Sequence, residues 1–232
     1  MAALADLAWP EIGTLAGRGA LLLLPMGSTE QHGPHLPVTT DTDIAVAIVA
    51  DPAIGLRLPQ AVVAPPLPYG SSGEHDGFPG TLSIGRAATE LVLIELVRSA
   101  TAAFAAVVVV STHGGNSSAV EPAVSRLRAE GRDVRAWSPR WQGDAHAGRT
   151  ETSLMLAIDP ERVDRSRAEA GDTRPLGELL PGLRAGGVRS VSPNGVLGDP
   201  TGATAGEGHR LLAAAVDDLI GFVGGTGREA RE

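Results

Sequence analysis

The chain has 232 residues, 43% of them hydrophobic, and a formal charge of −8. That suits one large domain with a substantial core and disfavours a nucleic-acid footprint or attraction to anionic lipid. It has no cysteine, and all its Lys-or-Arg positions are arginine, which excludes disulfides, thiolate nucleophiles, Schiff-base lysines, Ser-x-x-Lys catalysis and a P-loop.

At the N-terminus, "MAALADLAWPEIG" has two acids and no basic residue, unlike a signal peptide. Residues 20–25 ("ALLLLP") predict a buried strand, and residues 41–51 a helix with acids in its first turn. Residues 61–70 predict a strand entering a proline-rich loop, and residues 86–104 carry apolar residues at helical spacing. "ATAAFAAVVVV" is too short for a membrane span and suits a passage from helix to strand. The strand of residues 105–112 is apolar on both faces. A helix over about 118–130, a short strand "DVRAWS", a helix beginning in "TETSLMLAI" and a final helix over 205–224 complete the pattern.

Residues 171–208, rich in Gly, Pro, Ser and Thr, read as ordered loops over a site. There is no internal repeat. Alternating strands and helices, with strands apolar on both faces, predict a single α/β domain over residues 1–232. Its sheet is expected to be mostly parallel and flanked by helices, with ligands at the carboxyl ends of the strands. A cytoplasmic enzyme is the expected class.

Four polar clusters follow strands, the metal-site motifs falling within residues 25–155. In "PMGSTEQHGPHLPVTTDTD", Glu30 and His32 are two apart and project to one side of an extended segment. Asp41 lies eleven residues past Glu30 at the mouth of a helix. Carboxylate, imidazole and carboxylate suit zinc, manganese or ferrous iron; a helix cap explains Asp41 equally well. In "VVVVSTHGGNSSAV", His113 precedes Gly114, Gly115 and Asn116 at a helix start, where amides welcome an anion or oxyanion. No G-x-S-x-G elbow or full dinucleotide fingerprint accompanies them. "DAHAGRTETSLML" holds His146 and Glu151, the latter open to reading as an ordinary first-turn acid. "YGSSGEHDGFPGT" brings Glu74 and His75 into a Gly/Pro loop, as a surface turn or as substrate contacts. Five of the six histidines (His32, His35, His75, His113 and His146) fall in these clusters; His209 stands apart on the last helix.

"GSTEQHGPHLP…D", "EHDGFPGT", "HGGN" and "HAGRTETS", in that order, closely resemble the creatininase family of metal-dependent amidohydrolases over roughly residues 20–160. "LLPGLRAGGVRSVSPNGVLGDPTGATAGEG" resembles the tail of one branch, which acts on precursor peptides of mycofactocin biosynthesis.

The resemblance implies two divalent cations per subunit, Fe2+ and/or Zn2+ with Mn2+ as an alternative. Glu30, His32, Asp41 (bridging), His113 and Glu151 are the implied ligands. It implies His146 for proton transfer, Glu151 as ligand and catalytic group, and Glu74, His75 and Asn116 at the substrate. Creatininase proper has a ligand glutamate where this chain has Gly115; that departure argues against creatinine, and Glu151 is the nearest replacement. The implied activity is amide hydrolysis near the C-terminus of a small modified precursor peptide, releasing a Val-Tyr-derived unit. Asn116 or the Gly114 and Gly115 amides would steady the oxyanion. Alternatives are an amidohydrolase acting on a cyclic amide or formamide, and a metal-binding subunit without turnover. The family also implies a homo-oligomer, a hexamer or similar ring, with no nucleic-acid or membrane partner.

Overall fold

Burial of alternate residues on opposite faces of a central sheet organises the molecule. In the computed structural model, which describes residues 2–225, the elements run β1 (Ala2–Ala3), α1 (Trp9–Ala16), β2 (Leu21–Met26), α2 (Thr40–Ala50), α3 (Pro52–Arg57), β3 (Ala61–Val63), α4 (Gly85–Ala100), β4 (Ala106–Ser111), α5 (Ser117–Ala129), β5 (Val134–Trp137), α6 (Arg149–Ile158), α7 (Leu176–Val191) and α8 (Ala205–Val223). The five strands form one sheet in the order β1-β3-β2-β4-β5, and every pairing is parallel. The described residues form a single α/β unit; Met1 and residues 226–232 lie outside them.

Strand periodicity sorts the core into two layers. Leu21, Leu23, Val108 and Val110 face one way and pack with Ile44 and Ile48 of α2, Leu154 and Met155 of α6, and Val216 and Leu219 of α8. Leu22, Leu24, Val107 and Val109 face the other way, against Leu93, Ile94 and Val97 of α4 and Val120, Val124 and Leu127 of α5. Both central strands are buried along their whole length, which is why each reads as an unbroken apolar run rather than an alternating one.

The register brings the site segments together. Met26, the last residue of β2, pairs with Ser111, the last of β4. Beyond the short β3 the chain continues past Pro65 and Pro66 and rejoins Met26 through a parallel bridge at Leu67. The segments after β2, β3 and β4 therefore leave the sheet side by side at one edge.

Three features depart from the sequence pattern. The helices α1 and α3 arise in stretches where no element is predicted. Residues 171–208 are not all loop: α7 occupies much of them, its backbone turning at Gly187 (φ 68°). The Gly and Pro content hides an apolar recurrence at Leu176, Leu179, Leu180 and Leu183. Packing of Leu179 and Val188 with Leu197, Phe78 and Val191 stabilises the helix as a small satellite core. The two-residue strand β1 is likewise not predicted, whereas residues 61–70 form the expected strand running into a proline-rich loop, where Pro65 and Pro66 remove ladder donors.

The closest helix crossing is α6 against α8, where a Cβ on Gly208 would collide with the Ser153 carbonyl and meet Ala157 at 2.9 Å. Gly208→Ala is expected to destabilise by about 1–3 kcal/mol. Gly206→Ala, on the same helix with only Arg210 nearby at 3.9 Å, should cost nothing. Thermal unfolding of the two variants side by side measures the difference.

Candidate metal centre

Asp41 lies in the first turn of α2 and is 2% exposed. Its Oδ2 accepts the Ser28 hydroxyl proton at 2.5 Å, and its carbonyl accepts that of Thr112 at 2.7 Å, so the loops after β2 and β4 both hold it. Oδ1 is 3.4 Å from His32 Nε2, and Oδ2 is 3.4 Å from His113 Nδ1. Two sets of donor atoms share this carboxylate. Glu30, Asp41 and His113 offer three donors within 4.8 Å of one another, and so do His32, Asp41 and Glu151. A further grouping joins Glu30, His32 and His146. The two-residue spacing of Glu30 and His32 thus delivers both to one centre.

The residues fit divalent cations on an observation internal to the protein. Both carboxylate oxygens of the fully buried Glu30, and Nε2 of the fully buried His32, have no hydrogen-bond partner among the described residues. His75 Nε2 and His113 Nε2 each approach one of the Glu30 oxygens at 3.2 Å without completing a hydrogen bond, and a buried carboxylate held only in this way is unfavourable. A cation would remove that cost, and mixed imidazole and carboxylate donors suit zinc, manganese or iron.

Protonation of the polypeptide shows the same demand for positive charge. Burial opposes charge on His32, yet Asp41, Glu151 and Glu30 outweigh it and push its pKa up to about 10. His113 is likewise raised against its burial, by Glu30, Glu74 and Asp41. Burial would raise the Asp41 pKa, but His32, His113 and the Ser28 hydroxyl hold it well below the usual carboxylate range. His146 goes the other way: burial, with the charge on His32 beside it, lowers it to about 4. Burial and the neighbouring histidines also lower His75.

Gln31, between the two predicted ligands, organises the remaining rings. Its Oε1 accepts the Gly33 amide at 2.8 Å. His146 Nε2 is 2.8 Å from the Gln31 carbonyl, so that nitrogen carries the proton and donates, turning Nδ1 toward Glu30 Oε1 at 3.6 Å. The Gln31 amide group then donates to the Gly195 carbonyl at 3.0 Å and to His75 Nδ1 at 2.9 Å. His75 accordingly directs its Nε2–H toward Glu30 Oε1, 3.2 Å away. Sequence reasoning missed Gln31 because a residue between two ligands of an extended segment faces away from them. The readable signal was the polar amide itself, next to a strand with no polar residue.

Glu151 occupies the first turn of α6. Its Oε2 accepts the Ala147 amide at 2.6 Å and lies 3.8 Å from His32 Nε2. Ala147 has a φ of 51°, alone among the described non-glycine residues in lying at positive φ. Such backbone costs about 1–3 kcal/mol and clusters at functional sites; here it aims an amide at Glu151.

Asn116 corrects the expectation of a direct substrate contact. It is fully buried, its Nδ2–H donating to the Gly27 carbonyl and its Oδ1 accepting the Ser71 amide, both at 2.9 Å. It ties the loops after β2, β3 and β4 together. Glu74 and His75 do line the cavity over the centre, which measures about 820 Å³ and also exposes Asp41, Gly114, Gly115, His146 and Glu151. A Cβ on Gly115 would collide with the Glu74 carboxylate, His113 Nε2 and the Ser71 carbonyl. Any side chain at 115 would thus displace Glu74, whose Oε1 is 3.4 Å from His113 Nε2. His35 hydrogen-bonds Thr152 at 2.8 Å, and His209 is exposed on α8.

A family profile described as "Creatininase: Creatinine amidohydrolase" matches residues 5–223. The mycofactocin precursor peptide peptidase of Mycobacterium ulcerans (strain Agy99) is 54% identical over 207 residues, covering 86% of this chain and 82% of that one. A crystal structure of creatinine amidohydrolase (creatininase) superimposes with a TM-score of 0.81 at 24% identity, over 98% of both chains. A mutant creatininase described as of the Zn-Zn type gives 0.79 at 25% identity, over 95% of this chain and 96% of the other.

Binding that favours the folded state by about 2.7 kcal/mol at a hundredfold excess over Kd sets the expected response to metal removal. Chelator treatment should lower the melting temperature by roughly 5–10 °C, and Zn2+ or Mn2+ should restore it. Asp41→Asn, which weakens the carboxylate common to both donor sets, should abolish the restoration in differential scanning calorimetry.

Proposed function

The chain belongs to the creatininase family, and we propose that within it the protein is a metal-dependent peptidase. On this reading it cuts an amide near the C-terminus of a small modified precursor peptide of mycofactocin biosynthesis and releases the Val-Tyr-derived unit. The observation that carries this is the shared Asp41 between two carboxylate and histidine sets at the floor of one cavity. The substrate class is supported by the name of the relative at 54% identity.

Glu30, Asp41 and His113 would hold one divalent cation, and His32, Asp41 and Glu151 a second, with Fe2+ and/or Zn2+, or Mn2+, as the metals. Such cations, when bound, supply an activated water at neutral pH and polarise the scissile carbonyl.

The chain's own groups do the rest. His146 is neutral at pH 7 and is held by its Nε2–H on the Gln31 carbonyl, so Nδ1 is free to take a proton at the centre and return it to the departing amine. His75 steadies Glu30 from the cavity side. The Gly114 and Gly115 segment at the start of α5 borders the same cavity, where its amides can serve the oxyanion. Burial excludes bulk water from Glu30 and His32. No helix among the described residues is long and apolar enough to cross a membrane; a cytoplasmic location and assembly into a hexamer or similar ring complete the reading.

His146→Ala should keep its metal content while turnover of the modified precursor peptide falls about 10²–10⁴-fold. Normal turnover would remove the acid–base role. Glu30→Ala and Glu151→Gln should each lose metal by elemental analysis. Creatinine and formamides, assayed on the same metal-loaded sample, should be turned over far more slowly than the peptide; a preference for either overturns the substrate assignment.

A further inference from the structure

One wall of the catalytic cavity is made by a helix that carries exposed leucines. Leu176, Leu180 and Leu183 of α7 line the same cavity as Asp41, His146 and Glu151. They recur at i, i+4 and i+7, so they share one face of the helix. Leu176 is 48% and Leu180 37% exposed, whereas Leu179 and Val188 are buried in the satellite core. Leu183 packs partly against that core, so the helix turns one apolar side inward and leaves Leu176 and Leu180 open to the cavity. The same cavity is also lined by Ser111, Thr112, Ser117 and Ser118, and by Trp141, Arg140 and, on α7 itself, Arg184.

The end of α7, from the break in its backbone at Gly187 onward, is held firmly. A Cβ on Gly187 would come 2.6 Å from the Glu74 carbonyl, Arg189 donates to the Gly77 carbonyl at 2.6 Å, and the Arg189 guanidinium lies over the Phe78 ring at 5.9 Å. The turn carrying Glu74 and His75 is thus clamped to the end of α7, and the leucine-bearing turns before the break are tied to the satellite core through Leu179 and Leu183.

We infer that the Leu176, Leu180 and Leu183 face is a specificity wall that receives a bulky apolar group of the substrate flanking the scissile amide. Exposed leucines on an anchored helix, continuous with the reacting centre, gain only when an apolar group covers them. The inference rests on the peptidase reading and deepens it: the polar floor takes the amide and α7 takes its apolar neighbour. Removing the wall weakens binding of substrate and transition state alike, so the loss falls on KM and not on kcat.

The test uses the full-length, metal-loaded protein and the modified precursor peptide. The double substitution Leu176→Ser with Leu180→Ser should raise KM about tenfold or more, leaving kcat within about twofold and metal content unchanged. Leu180→Met, which keeps an apolar side chain of similar size, should restore KM in the Leu180 single-site series. Titration calorimetry of the peptide with wild type and double variant reads the same contact without turnover. A wild type that binds the peptide but does not cleave it overturns the peptidase reading while leaving the wall open to measurement; absence of binding overturns both. An unchanged KM and Kd in the double variant, or a loss confined to kcat, overturns the wall. A changed oligomeric state in sedimentation with unchanged KM also overturns it, because the leucine face would then be covered by a second copy of the chain.

Discussion

A carboxylate with no exposure to water and no hydrogen-bond partner among the described residues is the constraint on which this protein turns. Glu30 sits at the carboxyl edge of a hydrophobic sheet, and Asp41 lies beside it with His32 and His113 drawn up close. Folding removes these anions from water, and Glu30 keeps only the 3.2 Å approaches of His75 and His113 in place of full hydrogen bonds. The arrangement is tolerable only with positive charge among the donors, which is what the raised pKa values of His32 and His113 express. A protein that builds such a site into its core couples its stability to the occupant of the site.

The fold delivers this site by register rather than by local sequence. Two fully buried strands end at the same level, Met26 beside Ser111, and a third segment returns to that level at Leu67. Each then passes directly into a polar loop. Asn116 joins the three loops from within, and Gln31 joins His75, His146 and the Gly195 carbonyl from the other side. Asn116 and Gln31 thus cross-link segments that leave different strand ends. Small displacements of one loop would be felt by the others, consistent with a catalytic geometry set by the scaffold and not by side-chain flexibility.

Histidines in closely similar surroundings take opposite protonation states for a physical reason. His32 faces two carboxylates, Asp41 and Glu151, and His113 faces three, Glu30, Asp41 and Glu74, so attraction overcomes their burial. His75 and His146 each have, among the described carboxylates, only Glu30 within 4 Å. His146 and His75 are flanked by other imidazoles, and burial prevails. The same centre therefore holds two imidazoles that attract a proton and two that stay neutral.

The residues alone determined the α/β class, the parallel sheet and most element boundaries, because buried parallel strands must be apolar on both faces and their helices must repeat at 3.6. They also marked Glu30, His32, Asp41, His113, His146 and Glu151, because ionisable side chains directly after core strands are conspicuous. Tertiary structure decided the rest. Whether Asp41 is a cap or the centre of two donor sets depends on Ser28, Thr112 and the approach of His113 from across the sheet. Asn116 looks like an exposed loop amide until the packing of three loops encloses it. The helix at Leu176–Val191 was masked by glycines and a proline, and only its contact with Leu197 and Phe78 explains why it forms. Spacing along a chain reports which side chains can share a face; which faces meet is set by the long-range burial that assembles the sheet.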